Sequence, residues 1–168
     1  AYTEFANAEA EIEDGWDELE SQKQTFENSK KEAEEQIAEY KEQKETLEQT
    51  NEQLNTLKDN LETANNTLES LNEQLENAET EEEKTAIQAQ ITEVSKNIQI
   101  LQATITGIET ELENQGVTDI DATIKAIEAG INQANTELSN GEKQIKEAEQ
   151  QLKDAEEELQ SQKNSTYY

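Results

Sequence analysis

Cysteine, histidine, proline, methionine and arginine are all missing from this 168-residue chain, and aromatic residues make up only 4% of it. Each absence excludes something. Without cysteine or histidine there is no disulfide, no thiol nucleophile, no imidazole base and no zinc site of the usual kind. All 13 cations are lysines, set against 41 Asp and Glu, for a formal net charge of −28. Such an acid excess argues against nucleic acid or anionic lipid as a partner, because phosphate binding draws on clustered Lys and Arg. Hydrophobic residues are 31% of the chain, short of the roughly 45–50% of an ordinary globular domain, so a rounded core is not expected. No apolar run approaches the roughly 18 residues of a membrane span. The N-terminus carries neither Met nor a signal sequence, and the chain reads as a soluble segment of something larger.

What is present is Glu, Gln, Lys, Ala and Leu, a composition that suits long helices as well as disorder, and periodicity decides between them. Steps of seven from Phe5 reach Ile12, Leu19, Phe26, Ala33, Tyr40, Leu47, Leu54, Leu61, Leu68 and Leu75 without a miss. Three residues after each stands a second series, Ala8, Gly15, Gln22, Ser29, Gln36, Gln43, Thr50, Leu57, Ala64, Leu71 and Ala78. Together they form the a/d seam of a coiled coil. A helix of that extent is roughly 110 Å long at ~1.5 Å per residue.

The frame is lost after Ala78, where Thr80 and Glu83 stand at capping-box spacing and Glu81 and Glu82 sit where a first turn favours negative charge. A second seam follows through Ile87, Ile91, Val94, Ile98, Leu101, Ile105, Ile108 and Leu112. Asn114, Gln115 and Gly116 break it, with Thr118 and Asp121 as the restart cap. A third seam runs through Val117, Ile120, Ile124, Ile127, Ile131, Ala134, Leu138, Gly141, Ile145, Ala148, Leu152, Ala155 and Leu159.

Matching the series shows where the chain reverses. Leu54, Leu61, Leu68 and Leu75 fall opposite Ile108, Leu101, Val94 and Ile87, each step of seven up one arm answered by a step of seven down the other. Past the second break, Phe5, Ile12, Leu19, Tyr40 and Leu47 fall opposite Leu159, Leu152, Ile145, Ile124 and Val117, in a register displaced by two residues. The first break therefore reverses the chain and the second only slips it. Three separate helices would leave Phe5, Ile12, Leu19 and Phe26 as an exposed stripe. The expected fold is all-α, a long antiparallel two-helix coiled-coil hairpin with an interrupted return arm. Its parts are an ascending helix over 1–78, a tip turn over 79–84, a distal return helix over 85–113, a break over 114–119, a proximal return helix over 120–163 and a tail over 164–168. Gln22, Gln36, Gln43 and Thr50 on the seam weaken the middle and favour breathing there, or a dimer that covers the seam.

Catalysis is not expected, since a two-helix rod offers no water-excluding cleft. Paired carboxylates such as Glu34/Glu35 and Glu156/Glu157/Glu158 read as solvated helix faces, and no cofactor or metal site stands out. Asp119 and Asp121 resemble a scrap of a calcium loop but lack the rest of the twelve-residue pattern, so capping is the preferred reading. Gly15 and Gly141 lie on the seam despite their low helix propensity, which calls for close helix approach near Trp16 or for a hinge. Glu79, Thr80, Glu81, Glu82 and Glu83 form an acidic tip that suits a partner, or simply the helix dipole. Tyr2, Phe5, Tyr167 and Tyr168 put aromatics at the base, as beside membrane spans or in end packing.

The stretches EIEDGWDELESQK and ELSNGEKQIKEAEQQLKDAEEELQSQK, with the Glu-Leu-x-x-Gly-Glu of Glu137 to Glu142, resemble the repetitive coiled-coil insertions of FtsX-like (MacB-type) ABC transporter permeases of Gram-positive bacteria. That resemblance covers nearly the whole chain, though not the family's membrane spans or globular extracytoplasmic part. It implies a non-catalytic stalk on the extracellular face of the membrane. Its partners would be the rest of the permease, a separate ATPase subunit, and an extracellular protein such as a cell-wall enzyme, or a transported peptide or lipid. A surface adhesin or a structural coiled-coil spacer or scaffold fits the same composition.

Overall fold

The computed structural model describes residues 2–167, the last of them by its backbone alone. Three helices make up nearly all of it: α1 (Tyr2–Asn77), α2 (Glu81–Asn114) and α3 (Ile120–Tyr167), with no strand among the described residues. The fold is all-α, an antiparallel coiled-coil hairpin in which α1 ascends and α2 and α3 form an interrupted return arm. Two compact units divide it: a terminal unit of Ala1–Glu42 with Ile127–Tyr168, and a turn unit of Gln43–Ala126.

In the terminal unit α1 and α3 run antiparallel, because partners descend α3 as they ascend α1. Lys23 Nζ lies 3.4 Å from Glu149 Oε1, and Lys30 Nζ lies 3.6 Å from Glu142 Oε1, seven residues further on each arm. Leu19 and Ile37 are the buried apolar residues, with Ile12, Phe26, Ala33 and Tyr40 half-buried beside them. On α3 every expected seam residue from Ile127 to Leu159 faces inward at least in part. Gly15 and Gly141 answer the choice between close approach and hinge. A Cβ on Gly15 would sit 2.6 Å from Leu152 Cδ2, and one on Gly141 would overlap the Phe26 ring, 2.9 Å from its Cδ2. Each glycine is a notch that seats a bulky side chain from the other arm.

One expectation fails here. Gln22, Ser29 and Gln36 are exposed, and the inward edge of α1 is carried one residue later by Trp16, Lys23, Lys30 and Ile37. Enclosing a Gln amide without a hydrogen-bond partner is costly. Lysine solves the same position differently, laying its aliphatic stem along the seam while the ammonium reaches a glutamate across it. Gln43 is exposed as well, so these glutamines do not interrupt the contact line; it runs beside them.

In the turn unit, Leu47, Leu54, Ala64 and Leu71 of α1 are buried together with Ile98, Ile105 and Leu112 of α2. Only Ala78, Glu79 and Thr80 separate the helices, so the turn is shorter than the 79–84 expected. Thr80 starts α2 early: its Oγ1 accepts the Glu83 N–H at 3.2 Å and its carbonyl accepts the Lys84 N–H at 3.1 Å. The second break is a helix stop closed by Gly116 at φ +82°, a conformation that favours glycine. Gly116 N–H donates to Glu113 O at 2.9 Å and Val117 N–H to Leu112 O at 2.8 Å, a Schellman closure that ties off the last carbonyls of α2. Asp119, rather than Thr118, caps α3: its Oδ1 accepts the Ala122 N–H at 3.1 Å. At the other end α3 continues past 163, and the tail expected over 164–168 is helical as far as Tyr167. Neither proline nor glycine follows Gly141 to stop it.

Candidate functional site

Glu79, Thr80, Glu81, Glu82 and Glu83 lie together around the start of α2, and all five are exposed. Three of them have local structural duties. Thr80 caps the helix, Glu83 Oε2 accepts the Glu79 N–H at 3.3 Å, and Glu81 pairs with Lys84 at 3.6 Å. Glu79 and Glu82 complete an acidic face at a helix N-terminus, where negative charge is favoured. Beside it a groove of about 480 Å³ is lined by Gln74, Ala78, Ala86 and Ile87. Because the cap holds the turn short, Thr80→Ala is expected to lower stability by about 1 kcal/mol. Urea unfolding followed by circular dichroism checks this; an unchanged midpoint would mean that packing alone sets the turn.

A larger groove, about 640 Å³, lies at the second break within the turn unit. Leu54, Leu112, Val117 and Ile120 supply apolar walls, and Lys58 Nζ meets Glu109 Oε1 at 3.3 Å on the rim. That α1 residues 51–58 share one groove with both sides of the break agrees with a slip of the return arm and not a second reversal. Asp119 spends its carboxylate on the cap of α3. Among the described residues no group of three or more acidic side chains is disposed to hold a metal ion. Glu34, Glu35, Glu157 and Glu158 stand exposed on outer helix faces, whereas Glu156 accepts a hydrogen bond from Trp16 Nε1.

The terminal unit contains a feature that apolar periodicity passes over. Along one flank, Glu9 pairs with Lys163, Trp16 with Glu156, Lys23 with Glu149 and Lys30 with Glu142, one polar rung for every seven residues of each arm. The signal was present in the spacing of Trp16, Lys23, Lys30 and Ile37, and in the glutamates that follow Gly141, Ala148 and Ala155. Those small residues face inward and place the next glutamate at the edge. Within this ladder a groove of about 490 Å³ is lined by Ile12, Trp16 and Leu159, with Glu9, Glu13, Asp17, Glu156 and Lys163 around it. Tyr2 is 77% exposed and Phe5 half-buried, while the Tyr167 side chain and Tyr168 lie outside the described residues. No helix among the described residues is long and apolar enough to cross a membrane. Compared with protein families, with curated proteins and with solved structures, the chain matches none.

Proposed function

We propose that the chain is a non-catalytic coiled-coil stalk on the extracellular face of a membrane, projecting from a transporter permease of the FtsX-like type. In this reading it relays motion from an ATPase subunit, or holds out a docking point for an extracellular protein or peptide. The observation that supports it is the hairpin itself. Glu9 near one end of the chain pairs with Lys163 near the other, whereas the α1–α2 turn belongs to a separate unit. A protein inserted into a loop of a larger one needs its two ends side by side, and the antiparallel pairing supplies that.

Two measurements test the proposal. In the encoding gene, apolar stretches of about 20 residues are expected on both flanks of this segment. Their absence would favour a scaffold, and a wall anchor downstream would favour an adhesin. Matched deletion of 55–61 with 101–107 then removes one heptad from each arm and shortens the hairpin by roughly 10 Å. If reach matters, transport or partner activation in the full-length protein falls while the shortened hairpin still folds. Undiminished activity would leave a passive spacer.

A further inference from the structure

We propose that the groove around Trp16 docks an arginine-bearing amphipathic segment of a partner protein. This rests on the terminal unit alone and stands apart from the stalk reading. The groove combines two chemistries. Its floor is apolar, formed by Ile12, Leu159 and Trp16, the only tryptophan of the chain. Its edge is acidic, and the four carboxylates differ in what already engages them. Glu9 is paired with Lys163 and Glu156 with the Trp16 indole N–H. Glu13 and Asp17, one turn apart on α1, are exposed and enter no hydrogen bond or ion pair among the described residues. The Trp16 N–H is held by Glu156, which fixes the ring at the half-buried edge of the seam.

An arginine is the occupant this arrangement suits best. Its planar guanidinium stacks on an indole face and donates a fork of hydrogen bonds to carboxylates, as Glu13 and Asp17 provide. A neighbouring leucine or isoleucine would cover Ile12 and Leu159. A second copy of this chain is a poor occupant, since it contains no arginine and brings a further net charge of −28.

The probe is a labelled helical peptide with leucine and arginine at three- and four-residue spacing, compared with a counterpart in which every arginine is citrulline, the neutral isostere. Anisotropy titration of the whole chain is expected to show saturable binding of the arginine peptide, with the citrulline peptide at least tenfold weaker. Trp16→Leu should weaken binding by roughly threefold to thirtyfold, the range a cation over an indole face is worth. Because Trp16 contributes to the seam, the paired change Glu13→Gln with Asp17→Gln is the cleaner arm. It touches only exposed side chains and should weaken binding at least threefold with the helical signal unchanged. The control, Glu62→Gln with Glu69→Gln, removes the same charge from exposed positions in the other unit. Binding that falls equally in the control, or persists unchanged in both groove variants, would show attraction to polyanionic helix at large and overturn the proposal.

Discussion

Replacing Leu19 by alanine is expected to lower the unfolding free energy by about 2–4 kcal/mol, the lower part of the range for a buried leucine. Leu19 is only 2% exposed, the most enclosed of the buried apolar residues, yet a two-helix seam keeps water close on both flanks and lets the site partly collapse. Changing Ile37 to alanine should cost a comparable amount. Changing its neighbour Gln36, which is exposed, should move stability by no more than about 0.5 kcal/mol. The contrast is sharp because the two residues are adjacent, so helix propensity and position along the arm are nearly matched. Urea unfolding read both by circular dichroism and by Trp16 fluorescence measures it. Equal effects at 36 and 37 would return the contact line to the a/d series and refute the shift toward Trp16, Lys23 and Lys30.

The second large effect has the opposite sign from ordinary helix rules. Glycine to alanine inside a helix usually stabilises by about 0.5–1 kcal/mol, and Gly107, where an added methyl group would meet nothing within 4 Å, should follow that rule. At Gly141 the same methyl group meets the Phe26 ring, so the ring must leave its seat or the arms must separate. Overpacking of this kind costs about 1–3 kcal/mol, which outweighs the propensity gain. Gly141→Ala should therefore lower the melting temperature while Gly107→Ala raises it. Pairing Gly141→Ala with Phe26→Leu should recover part of the loss by making room. A rise in stability for both single variants would mean that the arms are not held close at Gly141.

The hairpin could be read from the sequence because its apolar residues are regular. Leu54, Leu61, Leu68 and Leu75 match Ile108, Leu101, Val94 and Ile87 once the short break after Ala78 sets the antiparallel register, and the return-arm seam is inward as expected. Other features are only partly legible. Lys23 and Lys30 act through their aliphatic stems, which a scale that scores lysine by its charge cannot register. Capping is the expected role of Asp119, but Thr118 is offered beside it as the restart cap, and it is the Asp119 carboxylate that takes the Ala122 N–H. The expected tip turn is too long, although Thr80 and Glu83 stand at capping-box spacing: a cap at 80 already implies helix from 81. The groove at Trp16 needs both arms, and no periodicity in one arm reveals which side chains surround it.

A ladder that repeats joins the arms at many points, but it carries no address. Were α3 to slide by one whole heptad along α1, Lys23 would find Glu156 and Lys30 would find Glu149, Leu19 would exchange Ile145 for Leu152, and Ile12 would exchange Leu152 for Leu159. What cannot be regenerated is singular. Phe26 would meet the methyl group of Ala148 in place of its notch, and the Trp16 N–H would point at Lys163 where it now has a carboxylate. The irregular residues of the terminal unit thus act as coordinates for an otherwise uniform zipper. A chain stripped of them would keep most of its attraction and lose its sense of place, closing into several mismatched alignments of similar energy.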